Sequence, residues 1–193
     1  MAHTFRISVS SVLLSVLFTG GLVGCRGTRM GNLPHDQAVA AQLCQAAQHL
    51  TIGFPSDGNL VVLNPCNTDI NHSIHFEKAP NNASVYNYSA AESPDHKWVA
   101  KQEAKQLVLQ TAPPSGSGVN IQTTRLLSVP QWSPDSEFFF FWAAEDRKRG
   151  RSVAECLDDV SDLYVFSTKS RTGTLVGRVC SGVPVEAFRW LSL

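Results

Sequence analysis

Apolar positions along this 193-residue chain change their period near residue 50. In QAVAAQLCQAAQHL, the residues Val39, Leu43, Ala46, Ala47 and Leu50 fall on one side of a helix. Asp36 stands just before them, where a side-chain acceptor can take the first free amides, so residues 36–50 are expected to form an N-terminal α-helix. The opposite face carries glutamines and no lysine, the mark of a packing helix and not of one lying on a membrane. Beyond residue 50 the apolar residues collect in short runs divided by turn residues: NLVVLN, SIHFEK, SVYNYS, KWVAKQ, QLVLQ, VNIQTTRLL, EFFFFWA, DLYVFST, TLVGRV and VEAFRWLS. Runs of this kind predict an all-β domain over residues 51–193.

The turns between the runs repeat. Phe54, Pro55, Ser56, Asp57 and Gly58 precede LVVL; Ser93, Pro94, Asp95, His96 and Lys97 precede WVA; Trp132, Ser133, Pro134, Asp135 and Ser136 precede FFFFWA. Successive aspartates lie 38 and then 40 residues apart, the length of one four-stranded propeller blade. A last partial copy, Phe188, Arg189, Trp190, Leu191 and Ser192, ends the sequence. Each turn residue has a physical use. Proline presets φ for a tight turn, aspartate accepts backbone amides two residues on, and a tryptophan before the turn is large enough to seal one sheet against the next.

Over about residues 54–193 these turns resemble the Ser-Pro-Asp-type repeats of the Tol-system (TolB-like) β-propellers and of the propeller domains of prolyl-oligopeptidase-like enzymes. The copy at Trp132 matches well. The copy at Ser93 has Ala91 and Glu92 where the tryptophan would stand, and the first copy has its proline and serine exchanged. The resemblance implies a partial or small β-propeller-like stack of about three four-stranded blades with one N-terminal α-helix. The third unit is stretched, with 58 residues between Trp132 and Trp190 and an insertion near residues 145–159. The stack is therefore expected to be open, or to hide a further blade. A β-sandwich is the competing arrangement of the same strands.

The run Phe138, Phe139, Phe140, Phe141, Trp142 sharpens this expectation. Neighbouring strand residues point to opposite faces, so five consecutive aromatics require both faces to be covered. The innermost strand of a blade meets that condition. With only three blades, the third would leave an outer face for the helix, the inserted loop or a partner to cover.

Residues 1–24 supply an address. Arg6 gives a positive start, residues 7–18 (ISVSSVLLSVLF) a short apolar stretch, and Leu22, Val23 and Gly24 lead to Cys25. This resembles a bacterial lipoprotein signal peptide with its lipobox. The resemblance implies lipidation of Cys25, cleavage before it, and anchoring by acyl chains; the apolar stretch is too short for a spanning helix of about 20 residues. Arg26 is not the aspartate that retains lipoproteins at the inner membrane, so an outer-membrane anchor facing the periplasm is expected. Residues 25–35 then read as a lipidated tether, with glycines, a proline and no apolar period.

Charge excludes some roles. Sixteen basic and sixteen acidic residues cancel, and loss of residues 1–24 removes Arg6 and no acid, leaving 15 against 16. Neither nucleic acid nor a strongly charged substrate is expected as partner. The local exception is EDRKRGR, where Arg147, Lys148, Arg149 and Arg151 make a candidate partner-binding loop. Beyond Cys25 four cysteines remain, which an oxidising periplasm would pair in one of three ways; Cys44 with Cys66 and Cys156 with Cys180 are favoured as sequence-local pairs. A zinc site is the weaker reading because no C-x-x-C spacing occurs.

Candidate chemistry is sparse. His72 and His75 do not converge if both lie on one strand. Asp158, Asp159 and Asp162 lack the glycine and terminal glutamate of a calcium loop, and PPSGSG at 113–118 lacks the lysine of a phosphate loop. No G-x-S-x-G or H-E-x-x-H occurs. No metal, cofactor or catalytic residue is assigned. The expected role is a lipid-anchored cell-envelope binding or scaffolding protein with a protein partner. An envelope enzyme or inhibitor with a loop-built site, and a structural accessory subunit, are the alternatives. Oligomeric state is left open.

Overall fold

The computed structural model describes residues 28–29, 36–47, 49–78, 84–88, 91–103, 106–112, 118–122, 125–144, 159–180 and 182–192. Helix α1, Gln37–Ala46, begins where Asp36 Oδ1 accepts the amides of Ala38 at 3.0 Å and Val39 at 3.3 Å. It is shorter than expected, because the chain leaves the helix after Ala47 to enter strand β2, Thr51–Ser56. That strand was hidden in the sequence by Pro55 and the turn residues after it. Asp57 and Gly58, with φ of 50° and 78°, form the two-residue hairpin turn that leads into β3, Asn59–Leu63.

The remaining strands are β4 (Ile74–Lys78), β5 (Ser84–Tyr86), β6 (Trp98–Glu103), β7 (Gln106–Thr111), β8 (Val119–Gln122), β9 (Gln131–Trp132), β10 (Phe138–Ala144), β11 (Val160–Ser167), β12 (Thr172–Cys180) and β13 (Arg189–Ser192). A two-residue strand β1, Thr28–Arg29, lies within the stretch read as a tether and pairs in parallel with β8. The protein is all-β with one α-helix among the described residues, and its three sheets are open. A flanking sheet has the order β1-β8-β7-β6, a middle sheet β12-β11-β10-β9, and a closing sheet β4-β3-β2-β13-β5. Three predicted runs are shorter than expected: among the described residues VNIQTTRLL holds only β8 and SVYNYS only β5, and VEAFRWLS begins with a 3₁₀ turn, Val185–Ala187, before β13.

The middle sheet is apolar on both faces. Phe138, Phe140, Trp142, Leu163 and Val165 pack with Ile52, Val61, Phe188 and Trp190 of the closing-sheet side and with Leu43 of the helix. Phe139, Phe141, Phe166 and Trp132 pack on the other side with Ala100, Leu107, Leu109 and Ile121 of the flanking sheet. The five aromatics from Phe138 to Trp142 are at most 3% exposed. They thus alternate between two cores, as their sequence demanded. One expectation is corrected, since β10 is an interior strand flanked by β9 and β11 and not an innermost one; the face expected to need covering is packed by the closing sheet together with helix α1.

The partial copy at the chain's end has an unforeseen place. Strand β13 inserts between β2 and β5, pairing Trp190 with Ile52 and Tyr86. The strand that follows the helix and the last strand therefore share one sheet. Trp190 also donates from Nε1 to the carbonyl of Gln131 at 2.9 Å, tying the closing sheet to the middle one.

Helix α1 covers the outer strands of the middle sheet. The Asp36 amide donates to Thr174 Oγ1 at 3.2 Å, and Ser167 Oγ meets Gln42 at 3.4 Å. Gly177 in β12 admits the closing sheet here, since a Cβ would come within 3.1 Å of Ile74 and 3.2 Å of Ser73. Cys44 on the helix and Cys66 after β3 form a disulfide with Cα atoms 4.8 Å apart, the first of the two favoured pairs. In the chain-entropy model a loop of this size contributes about 3 kcal/mol. Cys180 is disulfide-bonded too, to a residue outside the described ones, where Cys156 lies.

Trp190→Ala removes a buried indole that touches two sheets, and is expected to cost about 3–5 kcal/mol, much of a typical 5–15 kcal/mol stability. Urea unfolding followed by tryptophan fluorescence should show the free energy of unfolding lowered by that amount and the midpoint moved to lower urea.

Candidate functional site

Two of the three repeated turns are built bond for bond alike. In the copy at residues 93–97, the Ser93 amide donates to Trp98 O at 2.9 Å and the His96 amide to Ser93 O at 2.9 Å. Ser93 Oγ donates to Asp95 Oδ1 at 2.7 Å and accepts the Trp98 amide at 3.0 Å, while Asp95 Oδ1 takes the Lys97 amide at 3.1 Å. The copy at residues 133–137 repeats all five. Ser133 bonds Phe138 O, Asp135 Oδ1 and the Phe138 amide, Asp135 takes the Glu137 amide, and the Ser136 amide reaches Ser133 O. His96 and Ser136 hold the same left-handed position, at φ of 59° and 62°. Asp57, by contrast, sits in the tight hairpin turn described above, so the exchange of proline and serine replaces the motif with another turn.

These turns form one rim of the stack. The Asp95 amide donates to Ser136 Oγ at 3.1 Å, joining the flanking sheet to the middle sheet. Thr168, at the β11–β12 hairpin, donates from Oγ1 to Ser136 O and Glu137 O, both at 3.1 Å. The Arg171 guanidinium lies 5.6 Å from the centre of the Trp98 ring. Charges on the rim are paired locally, Lys97 with Asp95 at 3.1 Å and His96 with Glu92 at 2.8 Å. Burial alone would raise the Asp95 carboxyl, but the Ser93 hydroxyl, the Lys97 amide and the Lys97 ammonium together hold it down at about 2. Ser93 and Ser133 are buried and spend their hydroxyls inside the turns, so neither is presented as a nucleophile.

The expected sealing role of tryptophan is visible at both places. Trp132 is fully buried between middle and flanking sheets, with its ring 4.9 Å from that of Phe139. Trp190 packs against Phe138 and Phe140. Near it, Gln131 Oε1 and, in β10, Trp142 Nε1 are buried without a hydrogen-bond partner.

The other sequence candidates separate. His72 lies in a turn and bonds Asp69 at 2.7 Å, whereas His75 lies on β4 beside Glu77 at 3.7 Å. The His72 hydrogen bond and the Asn71 amide hold Asp69 below the usual carboxylate range. Asp162 is a buried residue of β11 paired with Arg178 Nε at 2.7 Å. Among the described residues, no cluster of His, Cys, Asp and Glu is suited to hold a metal ion, and no helix is long and apolar enough to cross a membrane. Cys25, Arg147, Lys148, Arg149, Arg151 and Asp158 lie outside the described residues. The strand ends from which the basic loop departs, Ala144 and Val160, are at the end of the middle sheet opposite the Ser133 turn.

Two surface features were not singled out in the sequence. An open groove of about 370 Å³ beside the Cys44–Cys66 bridge is lined by Gln37, Ala40, Ala41, Pro65 and Thr68. Phe76, Val85, Tyr88 and Val129 are exposed apolar side chains. Their alternating or loop contexts give no sign in sequence of which face meets solvent. The chain matches no known protein-family model and no curated protein sequence.

Because its folded carboxyl titrates near 2, below the unfolded value of 3.8, Asp95 stabilises the fold above about pH 4 and loses that contribution as pH falls toward 2. Asp95→Asn should therefore flatten the loss of stability between those limits, measured by denaturant unfolding at successive pH values. An unchanged acid profile would contradict this account.

Proposed function

We propose that this chain is a lipid-anchored cell-envelope protein that binds or scaffolds a protein partner through an open, propeller-like stack of β-sheets. The anchor rests on the Leu22-Val23-Gly24-Cys25 motif after a short apolar stretch. The propeller-like reading is supported chiefly by the two turns of identical bonding, 40 residues apart from Asp95 to Asp135. It is supported also by tryptophan-sealed sheet interfaces and by a last strand that returns to pair with β2. Binding is the natural use of such a stack, because turns and loops cluster at the two ends of rigid sheets while the sheets themselves are consumed in packing. The outer membrane, facing the periplasm, is the proposed location.

Within this reading Arg147, Lys148, Arg149 and Arg151 form the contact loop, a concentrated positive field on a chain of balanced charge. Its partner would present acidic groups.

Cys25→Ala should move the protein from the membrane pellet to the soluble fraction without altering its circular dichroism; continued pelleting would defeat the lipid anchor. Changing all four loop cations to Gln should abolish crosslinks formed from this loop in whole cells while leaving membrane anchoring intact. If the same crosslinked products persist, the loop is not the contact.

A further inference from the structure

The outer edge of the closing sheet carries an unexplained aromatic. Strand β4, Ile74–Lys78, ends that sheet among the described residues. At its centre Phe76 is 74% exposed, the most exposed large apolar side chain described. Edge strands offer a row of backbone donors and acceptors, and folded proteins normally keep large apolar groups away from such a row or mask it with charge. Here the apolar group stands at the middle, with His75 and Glu77 on either side.

That arrangement is complementary to its own reverse. When two copies of β4 are set antiparallel about a twofold axis through Phe76, each Phe76 faces that of the second copy. Each His75 then faces Glu77, and each Ile74 faces the aliphatic stem of Lys78. Within one chain His75 Nε2 and Glu77 Oε2 are already 3.7 Å apart on one face, so pairing would extend them into an alternating set of four. Aromatic and opposite-charge cross-strand pairs are the stabilising ones in antiparallel sheets, and like charges directly opposite are destabilising. A shift of register by one residue on each strand would bring Glu77 against Glu77 and break the Phe76 pair. We propose that β4 is a homodimer seam, joining the closing sheets of two copies of this chain edge to edge about Phe76. The interface is isologous, as a twofold dimer requires. It is small, under about 1,000 Å², so the dimer is weak in dilute solution and favoured where copies are concentrated. This inference does not rest on the lipid anchor or on the basic loop.

The test uses the full-length chain with single cysteines placed on the seam. In the proposed register residue 75 faces residue 77 of the second copy, whereas 75 and 75 stand about 8 Å apart on the diagonal, beyond the reach of a disulfide. A mixture of His75→Cys and Glu77→Cys chains should therefore give several-fold more disulfide dimer than either chain alone. By light scattering of the purified protein, His75→Glu should abolish the dimer and the double variant H75E/E77H should restore it. His75 and Phe76 are exposed and Glu77 is half-buried, and circular dichroism checks that the variants fold. A protein that stays monomeric at several hundred micromolar, or a dimer indifferent to both His75→Glu and Phe76→Ser, would overturn the seam.

Discussion

The structure depends on one constraint, that β10 must be covered on both faces. Its alternating side chains would each need a dry partner surface, and burying an aromatic side chain in full stabilises the fold by roughly 1.5–3 kcal/mol relative to exposure. Five in succession therefore favour a middle position so strongly that the sheets on either side are arranged around this strand. The closing sheet and helix α1 fill one side with Leu43, Ile52, Val61, Phe188 and Trp190. The flanking sheet fills the other with Ala100, Leu107, Leu109 and Ile121. The smaller residues of the flanking sheet face the phenylalanines, which is how the layers interdigitate at native density.

The closing sheet is assembled from distant parts of the described chain. Strand β13 enters the closing sheet between β2 and β5, so the last described strand is an interior strand of the sheet begun by β2. Such a long-range pairing makes folding of the closing sheet conditional on the rest of the domain. The indole of Trp190 adds a second tie, to the backbone of β9. The disulfide from α1 to the segment after β3 then fastens the helix that caps the remaining apolar surface.

The repeated turns show how short local chemistry becomes long-range order. Each Ser-Pro-Asp copy fixes the direction of the strand after it through the same side-chain bonds, and a link from Asp95 N to Ser136 Oγ then sets the two neighbouring sheets in register. Asp95 is ionised in this network because three donors converge on it. The same convergence removes the serines from any reactive role.

By itself the sequence determined the β class, the start of helix α1 at Asp36, the aspartate-to-amide bonds of the Asp95 and Asp135 turns, and the need of Phe138 to Trp142 for two cores, and it favoured Cys44–Cys66 among three pairings. All of these are written in local pattern or nearby composition, where periodicity, capping and turn chemistry act over a few residues. It did not show β2, because Pro55 disguises a strand whose second partner, β13, lies over a hundred residues away. Nor did it show that the third unit is the middle layer, or that Asp162 meets Arg178 in the interior. Only the tertiary structure decided the order of the layers and which strand edges remain open. Those choices depend on contacts between segments far apart in the chain, whose energies no local window of sequence contains.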